Sequence, residues 1–478
     1  MESAEKFLEM EIAENLNKQT YNGYAYWTYN RFSIFNIIDV QVNDRNEQTF
    51  TPTISKQDKM KRYYKVLFTK KYKIFENLMN GEILVFNHPR RVKKGDLYEC
   101  VYTDDIVSKL KNVRVLESSY QSKHFEPTNT QNLIYLDQVE VLSELQYYYY
   151  RIFQKKNYDK DKENFYHIAK KLKNYIQEYF EVNINADVLT NCLFQGYCVY
   201  RFSYHAMEKI FQTMRPKIII ECASYCTPIV MIANEIAKLK NIPTIELQHG
   251  VMGKNHMGYN YAEKGIVQFP DIILTYSEYW NRVTRFPLDK ENVIACGYPY
   301  FERNVQEYIK KGIMRKKQVL FISQTVIGMT LSKFAVELYD KVKDLCDYTF
   351  VYKLHPGECS DWKKRYPELA DSDICVIDNN EKSIYELFAE SSVQIGVFST
   401  AVYEGLGFGL KTFLVKAYRS EDMEELCKEG YATMVESVEP ITEYLLSQPE
   451  KMTFSYDKFW EKNATEKIIT MINTCIDQ

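Results

Sequence analysis

The stretch YKLHPGE at Tyr352–Glu358 ends an apolar run of the sequence. Such a run predicts a buried β-strand, which Pro356 terminates because proline has no backbone N–H for the ladder. His355 is thereby carried to the carboxyl edge of a sheet, where open parallel α/β sheets bind their ligands. Lys353 and Glu358 flank it, so an ammonium and a carboxylate are expected beside the imidazole. The stretch therefore predicts an α/β sheet with a phosphate-binding group at one strand end.

A second stretch, GVFSTAVYEGLG at Gly396–Gly407, predicts another strand end followed by the start of a helix. The hydroxyls of Ser399 and Thr400 come where free backbone N–H groups and the helix dipole favour an anion. Both side chains are also ordinary helix N-caps, and the two roles are compatible. Glu404 follows one helical turn later, where we expect it to reach a ribose or a base. The two strand ends together predict a single phosphate site.

The loop after the predicted strand Val319–Ser323 is the third polar segment of this half. Ser323 and Gln324 are expected to close over the same ligand, with a plain polar loop as the alternative. The sequence Asp371-Ser372-Asp373 superficially matches an Asp-x-Asp metal motif, but it precedes a predicted strand and is interpreted as surface acids. No metal is predicted.

The first half supplies a further strand end, TIELQHG at Thr244–Gly250. A histidine at the end of a strand can take a proton from a hydroxyl near neutral pH, which makes His249 the preferred catalytic base. Gln248 and His256 are expected to contact the molecule that gives up this proton. A purely structural histidine is the alternative.

Two carboxylates compete with His249 for the role of base. Glu221 ends the predicted strand Lys217–Glu221. Glu246 precedes His249 by three positions, so an unbroken strand would turn it to the opposite face. The residues alone leave the identity of the base open.

Length and composition indicate a soluble, two-domain protein. A chain of 478 residues exceeds the size at which one hydrophobic core keeps growing. The net charge of −3 gives no reason to expect nucleic acid as a partner. The eleven cysteines are interpreted as reduced thiols of a cytoplasmic protein. The N-terminus does not resemble a signal peptide, and no apolar run reaches the ~18 residues of a membrane span.

Strand-like runs alternate with helical patterns in both halves, which is typical of parallel α/β layers. The predicted strands of the first half are Ile83–Asn87, Val113–Glu117, Leu133–Asp137, Lys217–Glu221, Thr244–Leu247, Ile272–Tyr276 and Val293–Cys296. Those of the second half are Val319–Ser323, Thr349–Lys353, Ile374–Ile377, Val393–Val397 and Thr412–Val415. A domain boundary is predicted after Gly297-Tyr298-Pro299, because glycine and proline end a strand there.

Two basic stretches lie in the first half. His88, Arg90 and Arg91 follow the predicted strand Ile83–Asn87 and are expected to attract an anionic molecule. The segment Lys59–Lys73 interleaves basic and aromatic side chains, which favours contact with the headgroups of a membrane. A solvated amphipathic helix is the alternative.

These motifs resemble those of the bacterial surface-polysaccharide glycosyltransferases of GT-B fold, which carry a His-Pro motif and a downstream Ser-Ser or Ser-Thr motif. The group includes sialyl- and polysialyltransferases, capsule Kdo transferases and CDP-glycerol glycerophosphotransferases. The match is best over Lys217–Pro299 and Val319–Val415. The Asp/Glu-Asp/Glu-Gly motif that supplies the base in the sialyltransferases is not evident.

By this resemblance, His355 and Pro356 fall on the His-Pro motif and are expected to contact the nucleotide phosphate of a donor. Ser399 and Thr400 fall on the Ser-Thr motif, with the same expectation. Gln248–Gly250 is similar to the Gln-His-Gly segment of capsule-type members.

The resemblance implies an α/β fold of GT-B class, with two doubly wound Rossmann-like domains facing across a cleft. Residues 1–300 would form an acceptor-side domain with a helical insertion around 138–215. Residues 301–458 would bind the nucleotide donor, and 459–478 would form a helix packing back toward the first domain.

The implied function is an inverting, metal-independent transfer without a cofactor, from a CMP- or CDP-linked sugar or polyol to a glycan or lipid-linked glycan. His249 or Glu221 would take the acceptor proton while His355 stabilises the leaving nucleotide. The enzyme would act in the cytoplasm, with peripheral contact at the inner face of the membrane. The alternatives are a UDP-sugar 2-epimerase-like enzyme and a non-catalytic assembly protein that binds nucleotide or glycan.

Overall fold

The computed structural model describes residues 3–43, 55–88, 91–119, 123–128, 132–379, 382–447 and 458–477. The chain divides into two compact units. Unit 1 comprises Met1–Thr275, Trp280–Cys296 and Thr465–Gln478, and unit 2 comprises Tyr276–Tyr279 and Gly297–Ala464. Each unit is built on one parallel β-sheet with helices.

The sheet of unit 1 has seven strands in the order β5-β4-β1-β6-β7-β8-β9, all parallel. A short antiparallel hairpin, β2–β3, lies outside it. The strands are β1 (Ile83–Asn87), β2 (Val92–Lys94), β3 (Leu97–Glu99), β4 (Val113–Glu117), β5 (Leu133–Tyr135), β6 (Ile218–Glu221), β7 (Thr244–Leu247), β8 (Ile272–Thr275) and β9 (Val293–Ala295). The direction of strand addition reverses between β1 and β6, which makes this the switch point where ligands bind in open α/β sheets.

The sheet of unit 2 has six parallel strands in the order β12-β11-β10-β13-β14-β15. The strands are β10 (Gln318–Ile322), β11 (Thr349–Lys353), β12 (Cys375–Ile377), β13 (Val393–Gly396), β14 (Lys411–Val415) and β15 (Thr433–Val435). Its switch point lies between β10 and β13. The prediction of two doubly wound α/β sheets is confirmed.

The α-helices are α1 (Ser3–Ala13), α2 (Tyr26–Val42), α3 (Lys56–Phe68), α4 (Ile74–Asn77), α5 (Asp104–Val107), α6 (Asp137–Phe153), α7 (Lys155–Phe180), α8 (Ala186–Met214), α9 (Pro228–Leu239), α10 (Glu278–Val283), α11 (Pro299–Lys311), α12 (Gly328–Val342), α13 (Trp362–Arg365), α14 (Pro367–Ala370), α15 (Ile384–Glu390), α16 (Thr400–Gly407), α17 (Glu424–Lys428), α18 (Glu439–Leu446) and α19 (Ala464–Asp477). Within the described ranges, every helix falls short of the length and hydropathy needed to cross a bilayer.

The central strands are apolar on both faces, so each sheet must be covered on both sides. All residues of β1, β6 and β10 are buried. In unit 1 a helical layer of α1, α2 and α6–α9 contributes to the cluster that buries Leu84 and Ile219. Ile468 and Ile472 of α19 pack in a second cluster with Val85 and other residues of the same sheet.

The sequence locates the central strands closely because their apolar runs are uninterrupted. The bounds of β1, β4, β7 and β11 coincide with the predicted ones. The hairpin β2–β3 and the strand β15 were not predicted. They are three residues long and have exposed positions, so they lack the buried run that signals a strand.

Candidate functional site

Three histidines converge at the carboxyl edge of the unit 1 sheet. His88 directly follows β1, His249 comes two residues after β7, and His256 lies further along the same loop. The rings of His88 and His249 stack, with centroids 6.0 Å apart. Tyr225, in the turn after β6, lies 5.8 Å from the His249 ring and 5.0 Å from the His256 ring. We call these four residues the histidine cluster, which gathers at the switch point three of the side chains singled out from the sequence.

The His249 imidazole is neutral at physiological pH. Burial lowers its pKa to about 3, and the charges that His88 and His256 would carry add to this effect. The Nδ1 atom lies 3.0 Å from the hydroxyl oxygen of Tyr259, and Nε2 lies 3.5 Å from that of Tyr225. A neutral ring has a lone pair that can accept a proton, but a pKa this far below neutrality makes it a weak base unless the cation it forms is stabilised.

Glu246 is linked to His249, contrary to the expectation that it faces away. The strand β7 ends at Leu247, so the alternation of faces does not extend to position 249. The hydroxyl of Tyr259 donates to Oε1 of Glu246 and also contacts His249. The other carboxylate oxygen accepts from the backbone N–H and the hydroxyl of Ser224.

Glu221 is a buried acid beneath the cluster. It is opposite Glu246 in the register of β6 and β7, and neither side chain is exposed. One oxygen accepts from the Asn234 amide at 2.8 Å, while the other has no hydrogen-bond partner in the described part of the chain. Burial raises the pKa of Glu221 well above its ordinary value, and the nearby charge of Glu246 raises it further. Glu221 does not reach the surface at which a substrate could present a hydroxyl.

The helical layer fixes the loop that carries His256 and Tyr259. Arg31 of α2 donates to the carbonyl oxygens of Met257 and Asn260, and it forms a fully buried ion pair with Glu11. On the next position of α2, the Phe32 ring stacks on that of His256 at 5.7 Å. Arg31, Glu11 and Phe32 were not predicted to be functional. The signal was an arginine within the largely apolar helix α2, since a buried charge requires partners.

The remaining acceptor-side residues have structural contacts. The Gln248 amide is buried and donates to the carbonyl of Gly250 at 2.7 Å, which fixes the turn after β7. Arg91 was expected to attract an anionic molecule. Its guanidinium is buried and forms hydrogen bonds and an ion pair with Glu117. Arg90 lies outside the described residues.

In unit 2, the turn His355–Glu358 holds the His355 ring in one orientation. The backbone N–H of Gly357 donates to Nδ1 at 3.1 Å, and the Thr325 hydroxyl lies 3.4 Å from the same atom. A neutral ring that accepts at Nδ1 carries its proton on Nε2. His355 is therefore prepared to donate a hydrogen bond through Nε2–H, as an anionic ligand requires.

Glu358 and Ser323 support this turn from below. Glu358 is fully buried and accepts from the His355 backbone N–H at 2.7 Å and from the hydroxyls of Ser323 and Tyr366. A Cβ at Gly328 would lie 2.3 Å from a Glu358 oxygen, so no larger residue fits there without displacement. The sequence predicted Glu358 and Ser323 as ligand contacts, and the structure gives both of them internal hydrogen bonds.

Ser399 is the N-cap of α16, in the loop after β13. Its Oγ accepts from the backbone N–H of Ala401 at 3.2 Å, and both Ser399 and Thr400 are partly exposed. Because β13 is the neighbour of β10, the loops at Ser399 and Gln324 follow adjacent strands across the switch point. The helix dipole favours an anion at this position.

The other predicted contacts of unit 2 differ in exposure. Pro356 is exposed, and Gln324 is half-buried. Lys353 donates to the carbonyl of Asn379 at 2.5 Å, and burial lowers the pKa of its amine. Glu404 accepts from the Tyr385 hydroxyl at 2.7 Å. Among the described residues, no group of three or more His, Cys, Asp or Glu side chains is arranged to hold a metal ion.

No family model matches the sequence, and no curated protein matches it. Solved structures do resemble it. A UDP-GlcNAc 2-epimerase from Methanocaldococcus jannaschii is 10% identical with a TM-score of 0.49, over 83% of this chain and 100% of its own. The wall teichoic acid polymerase TagF is 13% identical with a TM-score of 0.43, over 88% and 97%. MurG from Acinetobacter baumannii is 10% identical with a TM-score of 0.46, over 82% and 99%. Likeness at this level extends no further than the arrangement of strands and helices.

Proposed function

We propose that this protein is an inverting glycosyltransferase, or polyol-phosphate transferase, that uses a CMP- or CDP-linked donor to build a bacterial surface polysaccharide. The observation that carries the proposal is the histidine cluster. It presents a neutral imidazole, His249, at the switch point of a parallel sheet, where ligands of such sheets bind. A transferase needs a base of this kind to take the proton of an acceptor hydroxyl.

Unit 2 supplies the complementary chemistry for the donor. We assign the nucleotide phosphate to His355, Ser399 and Thr400, which lie at strand ends around the second switch point. The Nε2–H of His355 and the start of α16 favour negative charge, which increases on the nucleotide as it leaves. Glu358 and Ser323 then act by holding the turn, and Lys353, Pro356, Gln324 and Glu404 remain proposed donor contacts. No step of this scheme needs a metal ion or a cofactor.

In the reaction, the acceptor oxygen forms a bond to the donor's anomeric carbon, or to phosphorus for a polyol-phosphate donor. The bond from that atom to the nucleotide phosphate oxygen breaks, and the electron pair leaves with the nucleotide. His249 takes the acceptor proton. Glu221, the competing base, is fully buried, so we assign the role to His249.

Contact with a membrane surface is supported by α3. Met60, Tyr64 and Phe68 form one row along the helix and are exposed by 64%, 70% and 69%. Lys61 and Lys65, on the same helix, are also exposed, so the row combines apolar and cationic groups. The double variant Tyr64→Ser and Phe68→Ser should lose sedimentation with vesicles containing anionic lipid. Equal binding by wild type and variant would contradict this assignment.

A panel of CMP, CDP, UDP, GDP and ADP in a thermal-shift assay tests the donor class. We expect CMP or CDP to raise the melting temperature most, since a ligand that binds the folded state stabilises it. The preferred donor is then incubated with and without a glycan acceptor. Release of nucleotide only when acceptor is present supports transfer.

Two outcomes would overturn the proposal. Conversion of a UDP-sugar to its 2-epimer without any acceptor would favour the epimerase alternative. Absence of a thermal shift with all five nucleotides would favour a non-catalytic assembly protein.

A further inference from the structure

Glu246, Tyr259 and His249 form a continuous line of hydrogen bonds from the core of unit 1 to the histidine cluster. Tyr259 is fully buried, and its hydroxyl contacts both Oε1 of Glu246 and Nδ1 of His249, the latter at 3.0 Å. A tyrosine hydroxyl has one proton. Tyr259 can therefore donate to only one of Glu246 and His249, and it must accept from the other if both contacts are hydrogen bonds.

Glu246 is the ionised member of the buried pair with Glu221. Its oxygens receive three donors, the Tyr259 hydroxyl and the N–H and O–H of Ser224. Glu221 accepts from the Asn234 amide through one oxygen, and its other oxygen has no hydrogen-bond partner within the described ranges. Two adjacent buried carboxyls do not both ionise, and the charge is favoured on the one with more donors. Burial raises the pKa of both carboxyls, and that of Glu221 is raised well above its ordinary value, so the number of donors is what assigns the charge to Glu246.

An ionised Glu246 can only accept, so the Tyr259 proton points toward it. The Tyr259 oxygen is then the acceptor for His249, which must carry its own proton on Nδ1. The neutral ring has one proton, and Nε2 is left with a lone pair. The geometry thus fixes the tautomer of His249.

We propose that Tyr259 is a positioning residue that keeps Nε2 of His249 as the unprotonated, basic atom, on the Tyr225 side of the ring, and couples the ring to the charge of Glu246. This inference rests on the proposed function. When the acceptor hydroxyl gives its proton to Nε2, the ring becomes a cation with protons on both nitrogens. The Nδ1 proton stays in its bond to Tyr259, and the charge of Glu246 opposes the new positive charge through the Tyr259 dipole. The proton on Nε2 returns to solvent after the product leaves.

The surroundings of His249 explain why such a link is needed. The groups that face the ring from neighbouring elements are His88, His256, Tyr102, Tyr225 and Tyr259. The two histidines oppose a positive charge on His249, and the tyrosines are uncharged at neutral pH. The only anion connected to the ring in the described part of the site is Glu246, through Tyr259.

The substitution Tyr259→Phe keeps the aromatic ring and removes the hydroxyl that joins Glu246 to His249. The matched control is Tyr150→Phe, which breaks another buried tyrosine–carboxylate hydrogen bond, to Asp161 at 2.6 Å, in the helical layer of the same unit. The chain has only seven histidines, so ¹⁵N-labelled histidine gives a tractable spectrum. The signals of His249 are assigned by their loss in His249→Gln.

In the wild type and in Tyr150→Phe, we expect the His249 signals of an Nδ1–H tautomer. In Tyr259→Phe, we expect the Nε2–H form to become populated and kcat to fall by about 100-fold, with little change in KM, in the range of general base contributions. Glu246→Gln keeps an acceptor for Tyr259, so it should preserve the tautomer while lowering kcat.

An Nε2–H tautomer in the wild type would overturn the inference, and so would an unchanged tautomer in Tyr259→Phe. The spectra are independent of turnover. If no transferase activity is found, they still decide the hydrogen-bond line. If activity is present and Tyr259→Phe retains it, the inference fails while the proposed function stands.

Discussion

The two switch points of this protein share a sheet topology but are surrounded by different kinds of side chain. In unit 1 the strand ends carry two stacked imidazoles and a phenol ring that meets a third imidazole edge to face, with two carboxyls buried beneath them. In unit 2 the strand ends carry an exposed proline turn, small hydroxyl side chains and a helix start. Under the proposed function, the first environment controls where a proton resides and the second offers donors to an anion. The difference teaches that strand order places a site, while burial and side-chain type decide what it does.

The largest expected effect comes from removing the proposed base of unit 1. His249→Gln should lower kcat by about 10³-fold, within the range for loss of general base catalysis. Nucleotide binding should be unaffected, because the proposed donor contacts lie in unit 2. Kinetic assay and the thermal-shift response measure the two effects separately. The control is His205→Gln, a change at a histidine with 91% of its side chain exposed.

Removing the imidazole of unit 2 should weaken nucleotide binding as well as turnover. His355→Ala should weaken CMP or CDP binding by about 10- to 100-fold, because a hydrogen bond to a charged group is worth about 1.5–3 kcal/mol. The folded state should persist, since Glu358 retains the Ser323 and Tyr366 hydroxyls. Titration of nucleotide by calorimetry measures the change. Unaltered affinity would remove His355 from the phosphate site.

The stability of the folded protein in acid should depend on His249. The folded-state pKa of His249 is lowered to about 3, below the ordinary value of 6.5. The neutral ring's contribution to stability is therefore present above pH 6.5 and is lost as the pH falls toward 3. At pH 5 the loss is about 2 kcal/mol at most. Denaturant unfolding at pH 7 and pH 5 should show a smaller difference for His249→Gln than for the wild type.

The smallest effect is expected at the start of α16. Ser399→Ala removes the cap on the Ala401 N–H and should cost about 1 kcal/mol of stability. Ser399→Asn keeps a capping group and is the matched control. If Ser399 also contacts the nucleotide phosphate, the alanine variant should weaken binding by more than the asparagine variant does. Identical affinities would restrict Ser399 to its role as a cap.

Much of the fold could be predicted because a buried parallel strand has a continuous run of apolar residues in the sequence. His249 and His355 could be singled out because each follows such a run, beside a glycine or proline that ends it. Tyr225 and Tyr259 could not, since they are two of forty tyrosines and nothing local marks them. The link to Glu246 was missed because it depends on where β7 stops, and strand ends are the least certain feature of a sequence.

Ser323, Glu358 and Arg91 have internal partners that the sequence did not indicate. Polar residues at strand ends were taken to face a ligand, whereas all three are buried in bonds to other side chains. The sequence shows that a polar residue lies near the carboxyl edge of a sheet. It does not show whether another side chain of the protein already forms the hydrogen bonds of that residue.

The buried ion pair of Arg31 with Glu11 has a consequence for engineering. It joins the first two helices to the backbone of Met257 and Asn260, in the loop that carries His256 and Tyr259. A chimera that exchanges the strand-rich portion of unit 1 must transplant α1 and α2 with it. Trimming those helices to obtain a shorter protein for crystallography or directed evolution would leave a buried arginine unsatisfied or the loop without its anchor.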